Sequence, residues 1–453
     1  MFCNHRRDED KTRERRVKVC MISPYPPTAV QYGIADYTFH LSQALSKLCQ
    51  VTILADGEGK PIRDRRVVVH RIWKPAYTMR ELPRCMFSAF KVIKAVISMR
   101  CDIVHVQHEP LLFGVLGLGI FPLLLILFRL LQIPVVLTMH SVIPLTVYTN
   151  KLLEYSGIGG TFSTLKKSLF MVYTKSIIKL SCKVIVHCRY AKEILVKHYG
   201  VPKSKIAVCK HGFQIIKPVS QVEAKRCLGF LGRKIILFQG FLNPSKGVQH
   251  IIKAFPKILK DHPETILIIA GTTSSRKDLP KHTEQKRGYL TQLRSLVRQL
   301  NVSERVVFVD RFVPEEELRI LISASDVVVL PYEGWVFGVS GVLYRVGSYG
   351  KPVVASDIPI FHDDIKNGET GILIPPRNPD HLAKAVNLLL SKPILAQQLG
   401  ENLKKHARKH DWNSIARATL ALYHQILKPK EVGTCENLKG ELFTDAMADG
   451  VLL

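Results

Sequence analysis

Residues 324–359, ASDVVVLPYEGWVFGVSGVLYRVGSYGKPVVASDIP, restrict the possible folds more than any other stretch of the chain. The β-branched run ending at Leu330 suits a strand buried on both faces, and Pro331 stops it. A loop of glycines and aromatics follows as far as Val339-Ser340-Gly341. A helix of about ten residues then reaches Tyr349, where Gly350 supplies the C-cap and Pro352 forbids continuation. Val353-Val354-Ala355 begins another strand. Strand, loop, helix and strand form the repeating unit of a doubly wound parallel sheet. The loop lies at a carboxyl strand end and a helix amino end, where small residues let backbone N–H groups face an anion. Ser340, Gly341 and Val342 are the candidate donors there, although an ordinary helix N-cap would use the same serine.

A second unit of this kind spans residues 235–255. The run IILFQ reads as a buried strand, and the turn GFLNPSKG from Gly240 to Gly247 carries one lysine, Lys246. Val248, Ile251, Ile252 and Phe255 then share one face of a helix. Strand, glycine turn, lysine and helix set an ammonium beside a ligand's phosphates. A surface lysine in a turn is the plainer alternative.

The alternation runs through the whole chain. Strand patterns fall at 17–22, 51–54, 67–72, 103–106, 135–138, 184–186 and 206–208, then at 235–239, 265–270, 305–309, 326–330, 353–355 and 371–374. Helical periodicity fills most of the intervals. This predicts an α/β protein of two Rossmann-like, doubly wound parallel-sheet domains facing a cleft. The N-terminal domain is expected at 17–217 and the C-terminal domain at 218–411, joined where proline and polar residues interrupt the pattern near Ile216 to Ser220. The charged leader 1–16 and the polar tail 428–453 are expected to be disordered.

At 453 residues, 47% hydrophobic and 23% charged, the chain has room for two cores of ordinary composition. Its ten cysteines show no paired spacing and no Cys/His cluster suited to zinc. Reduced thiols and a leader without an apolar core predict a cytosolic protein. The net charge of +28 is uneven, since residues 1–215 hold 32 lysines and arginines against 13 acidic residues. Lys166, Lys167, Lys175, Lys179, Lys183, Arg189, Lys192 and Lys197 stand among apolar neighbours. Such a face suits peripheral contact with an anionic membrane as well as it suits solvent. No motif supports a nucleic-acid partner. Residues 111–128, LLFGVLGLGIFPLLLILF, carry no charge over 18 residues, near the lower limit of about 17–25 for a span. Three glycines, Pro122 and closely flanking strands favour instead a glycine loop leading into a buried or interfacial helix.

The turn GFLNPSKG, the block LPYEGWVFGVSGVLYRVGSYGKPVVASDIP and the segment NGETGILIPPRNPDHLAKAV resemble the C-terminal domain of family-four glycosyltransferases. VCMISPYPPTAVQYGIADYTFHLSQAL, CDIVHVQHEP and PVVLTMHSV are similar to that family's N-terminal domain. The resemblance runs from about Val17 to Leu427. It implies the GT-B fold and a retaining transfer of a hexose from a nucleotide-sugar donor to a glycolipid, polysaccharide or other glycoconjugate, with no cofactor and no divalent metal. The partners it implies are the nucleotide-sugar and a sugar or lipid-linked acceptor. It places Lys246, Gly240, Ser340, Gly341 and Val342 on the donor diphosphate. Gly33, after the first strand, would let the backbone approach the donor across the cleft. His140 would lie near the transferring sugar and His108 in a comparable place, although a strand-end histidine is as often structural. The final helix, 412–427, often packs back on the first domain in this fold.

The chain departs from the family pattern in two respects. The family's two glutamates eight positions apart fall on Trp335 and Leu343 in one register, and on Phe337 and Arg345 in the other. Glu333 is near, but its partner position is Gly341. The arginine usual after the glycine of the lysine turn is replaced by Phe241. Arg345 is a candidate replacement for the missing positive charge at the donor, or equally a solvated helix residue. These departures leave open a second reading, a non-catalytic binding or regulatory protein of the same fold.

Overall fold

The computed structural model describes residues 16–26, 33–76, 78–109, 113–114, 116–145, 163–273, 280–334 and 338–428. Most of the leader, the tail beyond Lys428, Trp335 and Phe337 lie outside these residues, as do Leu111, Leu112 and Val115 and the side chains of Lys166 and Lys167.

Two sheets organise the chain. The first contains β1 (Lys18–Ile22), β2 (Gln50–Asp56), β3 (Ile62–Asp64), β4 (Val67–Trp73), β5 (Ile103–His108), β6 (Val135–Met139), β7 (Lys183–Val186) and β8 (Ile206–Val208). Their order is β3-β4-β2-β1-β5-β6-β7-β8, parallel throughout except for β3. The second contains β9 (Lys234–Gln239), β10 (Thr265–Ala270), β11 (Val306–Val309), β12 (Val327–Leu330), β13 (Val353–Ser356) and β14 (Ile372–Ile374). All are parallel, in the order β11-β10-β9-β12-β13-β14. Strands such as β6, VVLTM, and β12, VVVL, are wholly buried, as parallel strands covered on both faces must be. Each order reverses direction once, between β1 and β5 and between β9 and β12. Ligands of doubly wound sheets bind outside the carboxyl strand ends at such a point.

The helices of the first unit are α1 (Gly33–Leu45), α2 (Leu82–Ser98), α3 (Gly117–Leu130), α4 (Ser163–Leu180) and α5 (Arg189–Tyr199). The 111–128 stretch thus yields a helix in its second part. Among the described residues no helix is long and apolar enough to cross a membrane. In the second unit come α6 (Gln221–Cys227), α7 (Val248–Asp261), α8 (Pro280–Gln299), α9 (Glu315–Ala324), α10 (Gly341–Gly347), α11 (Pro379–Ser391) and α12 (Pro393–Lys409), and α13 (Trp412–Leu427) follows them in the chain. Three elements, β3, α6 and α12, are not anticipated by the periodicity. In α12 the buried residues Ala396, Leu399, Gly400, Leu403 and Ala407 form a stripe diluted by small side chains.

The last helix returns to the first sheet. Asp411 caps α13 by accepting from Ser414 N at 2.8 Å, and Trp412, Ile415 and Tyr423 enter the core with Tyr37, Leu41 and Ile53. Tyr423 Oη lies 2.6 Å from His105 Nδ1. Phe213 pairs with Asp411 as an isolated bridge, and its ring meets Tyr344 of α10 at 4.6 Å. A buried cluster adds to the junction. Lys210 Nζ lies 3.1 Å from Asp364, which also accepts from Tyr344 at 2.7 Å and pairs with His406 at 2.9 Å.

Candidate active site

The lysine turn is shaped by glycine. After β9 the backbone at Gly240 takes φ 140°, and residues 244–246 form one 3-10 turn that ends at Gly247 with φ 65°. A Cβ on Gly247 would fall 1.8 Å from Pro331 O, so only glycine fits between the turn and the end of β12. Glu333 N donates to Ser245 O at 2.9 Å and fastens the two loops together. Within this seat the Lys246 ammonium sits 3.8 Å from the centre of the Tyr332 ring. Among the described residues no carboxylate pairs with Lys246. Its charge is held by the face of a buried ring, a favourable but incomplete partner.

Tyr332 links the lysine to the next helix. Its hydroxyl is 2.8 Å from Ser340 Oγ, and Ser340 caps α10 by accepting from Leu343 N at 3.3 Å. When Tyr332 donates in that pair, the serine keeps its own proton for a third partner. The amides of Gly341 and Val342 belong to the first turn of α10 and have no intrahelical acceptor. Val342 faces the turn: a Cβ on Gly240 would meet its Cγ2 at 3.5 Å.

Beside Tyr332, Glu333 is 7% exposed and held through both carboxylate oxygens. Its Oε1 receives His250 Nε2 at 2.7 Å and Gln249 Nε2 at 3.0 Å, while Arg377 Nε bonds Oε2. Tyr289 donates to Gln249 Oε1 at 2.5 Å. A carboxylate enclosed by an arginine and hydrogen-bond donors is held in one orientation.

The first unit approaches this seat through β6. Ser141 bridges Gly338, and a Cβ on Gly338 would meet His140 O at 2.8 Å. The His140 peptide therefore touches the loop that leads into Ser340. Its ring turns inward, with Nε2 2.9 Å from Gln107 Oε1 and Nδ1 3.2 Å from His187 Nε2. His187 Nδ1 donates to Cys209 O at 2.9 Å. Tyr37 packs edge-on against the His140 ring at 4.8 Å. Burial, and then the neighbouring imidazoles, hold His140 well below the ordinary histidine pKa, so its ring is neutral. Burial likewise pushes His187 down to about 4, and His105 and His211 down to about 3.

Two sequence candidates point away from this seat. His108 leaves the cleft: Tyr173 Oη lies 2.9 Å from its Nε2, its ring stacks on Phe121, and burial drives it down to about 3. It ends a wholly buried strand and packs between α3 and α4. Arg345 points to the first unit, 3.5 Å from Asp36 of α1 and 3.5 Å from Glu315 of α9. There it makes a contact between the two units. Gly33 opens α1, and a Cβ there would meet no described atom within 4 Å. Leu343, at a missing-glutamate position, is core.

His250 and Arg377 are absent from the sequence reading. His250 lies in the first turn of α7, just past the lysine turn, which is a usable signal. Arg377, with φ 60° in the loop before α11, carries none.

Comparison with known proteins gives a consistent result. A model described as glycosyl transferases group 1 matches residues 223–406, and one described as glycosyltransferase family 4 matches residues 32–215. An uncharacterized glycosyltransferase of Methanocaldococcus jannaschii is 30% identical over 422 residues, covering 90% of this chain and 98% of that protein. A D-inositol 3-phosphate glycosyltransferase of Acidothermus cellulolyticus is 27% identical over 252 residues, 54% of this chain and 53% of the relative. Among solved structures, Anabaena HepE in complex with UDP superposes with a TM-score of 0.67 at 15% identity, covering 90% of this chain and 100% of that one. Sucrose-phosphate synthase from Thermosynechococcus elongatus gives 0.70 at 20% identity, covering 91% and 99%. These structural likenesses establish a shared fold.

Proposed function

Because the chain belongs to the family-4 glycosyltransferases of the GT-B fold, we propose that it is a retaining, metal-independent hexosyltransferase. It moves a hexose from a nucleotide-sugar to a glycolipid, polysaccharide or other glycoconjugate acceptor on the cytosolic side of the cell. The observation that carries this reading is the placement of Lys246, Tyr332 and Ser340 at the carboxyl ends of β9 and β12, opposite the His140–Ser141 strand end.

In this reading the donor's diphosphate lies between Lys246 and the first turn of α10. Negative charge grows on the diphosphate as the glycosidic C–O bond breaks and an oxocarbenium-like centre forms. The Lys246 ammonium, the Ser340 hydroxyl and the amides of Gly341 and Val342 meet that charge, and such preorganised donors lower the barrier electrostatically. The acceptor hydroxyl attacks from the face the diphosphate leaves, its proton passes to the departing diphosphate oxygen, and the anomeric configuration is kept. Gly240 and Gly247 let the turn approach without a side chain. Glu333, ordered by His250 and Arg377, accepts from donor hydroxyls in place of the absent glutamate pair. His140, its ring nitrogens engaged with Gln107 and His187, is a positioning residue that sets its peptide against Gly338.

The UDP and UDP-glucose held by HepE make UDP-glucose the first donor to offer. Proton NMR of the anomeric signal during turnover tests the reading. Transfer with retention, lost in Lys246→Ala, supports it; inversion, or full activity in that variant, overturns it.

A further inference from the structure

Helices α2, α3 and α4 pack side by side on one face of the first sheet. The α3 segment GLGIFPLLLILFRL is apolar around its circumference. Phe121, Leu124, Leu125 and Phe128 fill the core, while Leu123, Ile126, Leu127 and Leu130, at helical spacing, point outward. Leu123 is 59% exposed and Leu130 73%. A solvated helix of a globular protein carries polar residues on that stripe. Met86, Phe87 and Phe90 of α2 and Leu169 and Val172 of α4 are also more than half exposed. Together they make one apolar surface on adjacent elements, and such surfaces mark interaction sites.

The charge pattern of the same helices identifies the partner. Lys91, Lys94, Arg129, Lys175 and Lys179 lie on them, and their three segments contain no aspartate or glutamate, while Arg84 pairs with Glu81 at the cap of α2. Lys91 Nζ lies 4.5 Å from the Phe87 ring centre, its stem along the apolar surface and its charge at the rim. A second copy of the chain would bring like charges together, which opposes association. We infer that this face docks the enzyme on an anionic bilayer. The exposed leucines and phenylalanines enter the boundary between headgroups and acyl chains, and the lysines and arginines meet lipid phosphates. The inference deepens the proposed function, since it rests on a lipid-linked acceptor reached from the membrane surface.

Sedimentation of the full chain with phosphatidylcholine vesicles, with and without phosphatidylglycerol, tests it. The protein is expected to pellet only with the anionic vesicles and to be released by salt. Lys94→Gln/Lys175→Gln/Lys179→Gln is expected to weaken partitioning about a hundredfold. Phe87→Gln/Phe90→Gln/Leu127→Gln/Leu130→Gln, at exposed sites that leave the melting temperature unchanged, is expected to abolish it. Wild-type protein that stays in the supernatant, equal binding to both vesicle types, or variants that bind like wild type overturn the inference. So does sedimentation velocity showing a lipid-free dimer that the apolar variant dissociates. Stabilisation by UDP-glucose is read on the same variants. Vesicle binding without donor stabilisation sinks the donor reading alone, and the converse sinks only the membrane face.

Discussion

The Lys246 ammonium lies 3.8 Å from the centre of the Tyr332 ring, and the hydroxyl of that ring reaches Ser340 Oγ at 2.8 Å. One buried tyrosine thus ties the lysine of the β9 turn to the cap of α10, so that cation and serine share one frame before any ligand arrives. Preorganisation of this kind spares the reorganisation that a mobile lysine would need as charge develops on the leaving group.

Tyr332→Phe keeps the ring under Lys246 and removes only the bond to Ser340. It is expected to weaken donor binding by about fivefold, the worth of one neutral hydrogen bond of about 1 kcal/mol. Tyr332→Leu removes both contacts and is expected to lose more. Titration calorimetry with the donor ranks the two, and equal losses contradict the shared role of ring and hydroxyl.

Glu333→Ala leaves His250 and Gln249 facing a buried gap. Stability is expected to fall by about 1–3 kcal/mol in urea unfolding, with donor affinity falling in parallel. Arg377→Ala, whose side chain is 61% exposed, leaves Glu333 paired with His250 and is expected to cost less. The reverse ranking contradicts the assignment of Glu333 as the ordered acceptor.

Arg345→Ala is expected to leave donor affinity unchanged. A double-mutant cycle with Asp36→Ala is expected to give a coupling of about 0.2–1 kcal/mol that shrinks with salt, as exposed pairs do. A large drop in donor affinity returns Arg345 to the donor site.

The buried histidines predict acid sensitivity. His105, His108 and His211 sit at about 3 and His187 at about 4 in the folded state, below the unfolded value of about 6.5. Their contribution is therefore complete above about pH 6.5 and is lost as pH falls toward 4 and 3, because the unfolded chain binds the protons. Each histidine adds a slope of about 1.4 kcal/mol per pH unit in that window. Urea midpoints that do not fall between about pH 7 and about pH 5 contradict the neutral, buried cluster.

Most of the architecture is legible in the sequence because parallel strands buried on both faces announce themselves as runs such as VVVL and TILIIA. The lysine turn and the Ser340 cap are legible too, since glycine and serine there answer to backbone geometry. The direction of a side chain is not. His108 and His140 both end buried strands, yet the first turns into the α3 and α4 packing and the second sets its peptide against Gly338, a difference fixed by long-range partners. Arg345 is decided by Asp36, 309 positions away. Arg377 reaches Glu333 from a loop with no periodic pattern.

The most direct test of the account is the melting temperature of wild-type and Lys246→Ala protein across a panel of nucleotide-sugars and nucleoside diphosphates. A donor at about 100 times its dissociation constant stabilises the native state by about 2.7 kcal/mol. Wild type is expected to shift clearly upward with one donor and its diphosphate, and a Lys246→Ala variant that melts normally alone is expected not to shift. No shift with any member of the panel, or the same shift in both proteins, contradicts a donor diphosphate seated on Lys246.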